Sequence, residues 1–209
     1  MREYGSRQRI RKGAMESLEN RFVARMRELL VSLPYDMKVL FEAMTDENLP
    51  VEARRMAAGA AIYCLSPSDM IPDSMGVLGF VDDVLVVRLG LKRVLKLGGE
   101  DAEAYPERFS DQFTRLDEDI DLMGEYLGET LRWLEGRVDT RLVKTRYKGK
   151  DATDYVEDDD ACEFLYGEGL EFTTDYEIDE EAASRLHSGE AVLELFRKRM
   201  ADEARRIKS

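Results

Sequence analysis

A chain of 209 residues with 44% hydrophobic content is long enough for one domain with extensions and can bury a core. Its formal net charge of −13 is uneven: the run from Asp151 to Glu181 holds fourteen acidic residues and no Lys or Arg, so the remainder is close to neutral. Such a concentration repels phosphate backbones and argues against nucleic-acid binding. The two distant cysteines, Cys64 and Cys162, and the single histidine, His187, form no metal-ligand spacing, which argues against a Cys/His centre and suits a reducing cytoplasm.

Residues 1–13 read as a basic tail carrying Arg2, Arg7, Arg9, Arg11 and Lys12, with no apolar stretch of a secretory signal. From Met15, the spacing of Leu18, Phe22, Met26, Leu29 and Leu33 predicts a helix that Pro34 breaks. A short second helix then buries Met37, Leu40, Phe41 and Met44. Pro50 opens a third, running to about Cys64, whose small run Ala57–Ala61, including Gly59, invites close approach by another element. Pro67 stops it. A fourth helix begins near Asp82 with Val84, Val87, Leu91, Val94 and Leu95 inward, and Gly98-Gly99 ends it. Outside lies a basic stripe of Arg88, Lys92, Arg93 and Lys96.

From Pro106 a long helix is expected, with the seam Phe109, Phe113, Leu116, Ile120, Met123 and Leu127 continuing, after one added residue, through Leu131, Leu134 and Val138. That stripe at 109–138 packs on the chain's own helices or makes a homodimer. The acidic stretch that follows is interleaved with Tyr155, Phe164, Tyr166, Phe172 and Tyr176, and Gly167-Glu168-Gly169 suggests a hairpin between 162–166 and 170–174. A final amphipathic helix carries Leu186, Leu193, Phe196, Met200 and Ile207. No run reaches the roughly 18 apolar residues of a membrane span.

The fold expected is therefore mainly α: a helical domain over 14–148, an acidic, partly β or irregular appendage over 149–181, and a C-terminal helix over 182–209. The appendage, mutually repulsive alone, is expected to dock reversibly on the basic stripe or the N-terminal arginines, more weakly as salt rises.

Tyr63 to Asp83 sets four aspartates, two prolines and two glycines between two helical patterns. Tyr63, Pro67, Asp69, Pro72, Asp73, Gly79, Asp82 and Asp83 resemble the signature of the YkvA-like family: a tyrosine, a turn, Pro-x-Asp-x-x-Pro-Asp, then a glycine and paired aspartates opening a helix. The likeness covers about residues 50–95. It departs at Gly76, where relatives commonly carry proline, and that loosens the turn. The resemblance implies a small helical domain and brings no known reaction; relatives include stand-alone bacterial proteins and membrane-associated chains.

Asp82 and Asp83 read as caps of the fourth helix, and Asp69 and Asp73 as turn formers. The sharper alternative is a divalent cation held by Asp69, Asp73, Asp82 and Asp83, although no EF-hand spacing is present. No G-x-S-x-G, P-loop or dinucleotide fingerprint occurs, so neither a catalytic residue nor a cofactor is assigned. The leading function is a non-enzymatic interaction or scaffold protein that meets a protein partner through its acidic segment. The alternatives are peripheral membrane contact through 56–97 and the stripe of Arg88, Lys92, Arg93 and Lys96, and a metal-dependent enzyme built on the aspartates.

Overall fold

The computed structural model describes residues 16–66, 70–71 and 73–208, with the side chains of 73, 74, 207 and 208 left aside. The basic tail, Pro67, Asp69, Pro72 and the Asp73 side chain lie outside the described residues.

Helix α1 spans Leu18–Thr45 and opens on Ser17, whose hydroxyl accepts from the Asn20 N–H at 3.1 Å. The break expected at Pro34 is absent: the helix runs through it. Proline has no N–H to give the carbonyl four residues back, Leu30. The Tyr176 hydroxyl supplies the missing donor to Leu30 O at 2.7 Å, so a residue of the acidic stretch restores what Pro34 removes.

Helix α2, Val51–Leu65, follows Pro50 as the sequence predicts. A 3-10 segment over Asp73–Phe80 leads into α3, Val81–Gly98. Within it Gly76 has φ +64°, a value closed to proline, so the departure from the family pattern belongs to a turn of different shape. Helices α2 and α3 form an antiparallel hairpin, with Tyr63 meeting Asp82 near the connection and Ala60 meeting Gly90 further along. A Cβ on Gly90 would lie 2.8 Å from that of Ala60. The close approach foreseen at Gly59 is made by backbone: a Cβ there would stand 2.9 Å from Leu142 O.

The long helix expected from Pro106 is interrupted. A 3-10 turn over Gly99–Ala102 precedes α4 (Tyr105–Arg108), α5 (Ser110–Phe113), α6 (Leu116–Leu127) and α7 (Glu129–Arg141). The added residue in the seam is Gly128, at φ +57°, where α6 ends and α7 begins. The seam itself is real: Phe113, Leu116, Ile120, Met123, Leu127, Leu131, Leu134 and Val138 are all buried within the chain. It is therefore filled from inside the chain.

A 3-10 turn over Leu142–Lys144 leads to α8 (Ala152–Glu157), α9 (Asp159–Asp175), α10 (Glu180–Ala183) and α11 (Gly189–Lys208). The hairpin expected at 162–174 is corrected to helix α9. Gly169 is required there by contact, since a Cβ would fall 1.9 Å from the Phe41 ring. The chain is mainly α, and the described residues contain no strand, only an isolated bridge between Tyr147 and Lys150.

Helix α1 lies centrally, touching α2, α3, α6, α9, α10 and α11. One apolar cluster runs from Phe22 to Phe196 and includes Tyr155, Val156, Ala161 and Leu165 of the acidic stretch. That stretch is part of the core rather than an appendage to it.

Candidate functional site

The carboxylate of Asp82 organises the α2–α3 connection. It is fully buried on the first turn of α3, and Oδ2 accepts from the Tyr63 hydroxyl at 2.6 Å, the Met70 N–H at 2.8 Å and the Ile71 N–H at 3.1 Å. The Met70 N–H also reaches the Tyr63 hydroxyl oxygen at 3.0 Å. Among the described residues Oδ1 of Asp82 has no hydrogen-bond partner. Phe80 holds the N-cap position of α3 and makes no side-chain cap hydrogen bond, and Asp82 and Asp83 stand in the first turn. Asp82 satisfies backbone N–H groups of the segment before α3, while Asp83 is buried beside it. Gly79 is buried just before this turn.

Burial pushes the Asp82 carboxyl up to about 6, against the pull of the Tyr63 hydroxyl and the two amides. Burial and the neighbouring Asp82 drive the Tyr63 phenol well above its ordinary value, so it remains a neutral donor. The arrangement is that of a structural clasp. Beside it lies a cavity of about 30 Å³ lined by Tyr63, Met70, Leu134, Arg137 and Val138, among others, which is room for about one water. Among the described residues no three His, Cys, Asp or Glu side chains gather as metal ligands, and Asp69 lies outside those residues.

A second polar centre lies between α1, α3 and α6. Arg88 is 1% exposed. It donates through Nη2 to Asp119 Oδ2 at 2.8 Å and, at a long 3.3 Å, through Nη1 to Asp36 Oδ2. Arg25 meets the same Asp119 with two bonds, Nε to Oδ1 at 2.6 Å and Nη2 to Oδ2 at 2.9 Å. Two guanidinium groups thus face two carboxylates, a balance that buried charge requires. Burial still pushes Asp36 up to about 6, because its contact with Arg88 is too long to offset desolvation fully. The Arg25 guanidinium is held above its ordinary range by Asp119.

This centre dismantles the basic stripe read from the sequence. Arg88 points inward. Lys92 pairs with Asp117 at 2.9 Å, and Arg93 grips Asp139 with two bonds at 2.5 and 3.1 Å. Lys96 is exposed. The acidic stretch does not sit on these residues; it packs on α1 and α2. Arg88 was missed because residues 88, 92 and 96 share a helical spacing with exposed bases. The signal was available in α1, where Asp36 falls at helical spacing between Leu33 and Leu40 on an otherwise apolar face and so requires a buried partner.

The acids of 151–181 fold outward. Asp151, Asp158 and Asp179 cap α8, α9 and α10, with Asp151 and Asp154 completing a capping box. None of the fourteen is buried. The stretch is held by Tyr155, Val156 and Leu165 and by edge-on ring contacts of Tyr166 with Phe41 and Tyr176 with Phe80. Ion pairs of Arg55 with Glu157, Lys148 with Glu168 and Lys150 with Asp158 border it. Its outer surface leaves Phe164 and Leu170 44% and 47% exposed, with Lys148 Nζ 5.1 Å from the centre of the Phe164 ring.

Residues 53–89 match a family described as a protein of unknown function (DUF1232), a stretch that covers most of α2, the first half of α3 and the Tyr63–Asp82 clasp. No curated protein and no solved structure matches the chain.

Proposed function

We propose that this is a non-enzymatic interaction protein, and that its partner contact is the outer face of α9. The observation that carries this reading is an inversion of polarity. The motif's carboxylate and the largest buried cation, Asp82 and Arg88, are spent on internal contacts. Helix α9, by contrast, turns outward two of the five exposed large apolar side chains of the described residues, Phe164 and Leu170, among Asp160, Glu163 and Glu171. Apolar contact area on a helix whose exposed charges are acidic suits a basic, apolar-faced partner, the acids steering the encounter and the apolar groups supplying affinity. The finer likeness to YkvA-like domains supports a helical module at 53–89 and adds no reaction. A cytoplasmic setting accords with cysteines that form no disulfide among the described residues. No helix among the described residues is long and apolar enough to cross a membrane.

The test is photo-crosslinking in the native host from position 167 of the full chain, exposed between Phe164 and Leu170. The expected product is a partner with a basic contact surface, lost on Phe164→Ala with Leu170→Ala and weakened by salt. Crosslinks unchanged by those substitutions would overturn the reading. Flotation with anionic liposomes unaffected by them would favour the membrane alternative instead, and stoichiometric divalent metal in the purified chain would favour the enzyme.

A further inference from the structure

Helix α11 is attached in two different ways along its length. Its first half is seated by the buried side chains Val192, Leu193 and Phe196. From Arg197 to Arg206 no residue is buried, and the contacts holding this half are polar. Arg199 donates to the carbonyl of Met70. Glu203 accepts from Trp133 Nε1 at 3.1 Å and from Arg137 Nη1 at 2.6 Å, and pairs with Arg141. The three donors pull Glu203 below its ordinary value, so it is ionised at neutral pH.

These contacts converge on the clasp. Met70 is gripped from both sides, its N–H by Asp82 and Tyr63 and its carbonyl by Arg199. Arg137 and Arg141, which Glu203 holds, line the small cavity beside Tyr63 and Met70.

We propose that residues 197–206 are a releasable strap over the α2–α3 connection, independent of the partner face on α9. Charged contacts at a surface weaken with salt while apolar seating does not, so the two halves of one helix separate in stability. Release leaves Arg137 and Arg141 without their carboxylate and uncovers the Met70 carbonyl, while Val192, Leu193 and Phe196 keep the helix tethered. The uncovered patch is two guanidinium groups above Leu134 and Val138, a seat for a carboxylate-bearing helix of the kind Glu203 now supplies.

Hydrogen exchange read by mass spectrometry on the full chain tests this, comparing wild type with Glu203→Ala, Arg199→Ala and Arg197→Ala. Arg197 pairs only with Glu190 on the same helix and serves as the control. Loss of a charged hydrogen bond is expected to raise exchange about tenfold or more across 197–206 and at 70–71 in the first two variants. Protection at 192–196, in α2 and in α3 should stay at the wild-type level, and high salt should reproduce the pattern in wild type. Exchange at 197–206 and 70–71 no faster than in the Arg197 variant would overturn the proposal, as would uniform loosening of all of α11 or of the whole chain.

Discussion

Between residues 63 and 83 the described carboxylates lie inside the protein, and that of Asp82 holds backbone; between 151 and 181 they lie outside, and apolar side chains do the holding. Both stretches are acid-rich, and both were read from composition as segments whose acids define their role. In the first, a single oxygen of Asp82 takes a phenol and two amides. In the second, fourteen carboxylates cap helices or face water while Tyr155, Val156 and Leu165 enter the core. What separates them is whether backbone N–H groups stand unpaired nearby. A buried turn presents such donors and rewards a buried acceptor, whereas a helix has already paired its own beyond the first turn.

The sharpest way to break that comparison is Asp82→Ala. It takes the acceptor from the Tyr63 hydroxyl and the Ile71 N–H and leaves the Met70 N–H only the Tyr63 oxygen, and a loss of about 3–5 kcal/mol is expected from chemical denaturation. A loss below about 1 kcal/mol would show that the clasp is ornamental. The counterpart in the acidic stretch is Leu165→Ala, expected to cost about 2–5 kcal/mol as a cavity opens against α1 and α2. Its limited proteolysis at 151–175 should rise, whereas salt alone should leave that segment protected. Salt-induced cleavage there would restore the electrostatic docking first expected.

The buried network extends the comparison to pH. Asp36 keeps its proton up to about pH 6 in the folded chain but only to its ordinary 3.8 when unfolded. The folded state therefore holds the extra proton between those values. The stability owed to Asp36 is complete below about pH 4 and falls as pH rises through about 6. Relative to Asp36→Asn, wild type should lose up to about 3 kcal/mol across that window. A gain with rising pH would mean that Arg88 keeps Asp36 ionised throughout. Asp82 shifts in the same direction and cancels in the comparison.

Smaller effects follow. Gly59→Ala drives a methyl against the Leu142 carbonyl, and a loss of about 1–3 kcal/mol in thermal or denaturant unfolding is expected. Changing Asp160, Glu163 or Glu171 singly to its amide should move stability by no more than about 0.5 kcal/mol. A larger loss from any of the three would put that carboxylate to structural use and erase the contrast between the regions.

Local patterns in the sequence determined the helical class, the bounds of α2 and α3, the buried seam from Phe113 to Val138 and the close approach at Gly59, because hydrophobic period and residue size are properties of short windows. The significance of Tyr63 and Asp82 was visible as well, since their spacing carried the family likeness. Their roles were not. Whether Asp82 caps its own helix or the segment before it depends on where Met70 and Ile71 are brought. Whether Arg88 lies on a surface depends on Asp36 and Asp119, which are 52 and 31 residues away. Pro34 sits inside a helix because Tyr176 arrives to take the Leu30 carbonyl, and Gly169 lies in a helix because Phe41 covers it. In each case the deciding group comes from far along the chain, and only packing places a donor, a charge or a ring where a local rule would otherwise have prevailed.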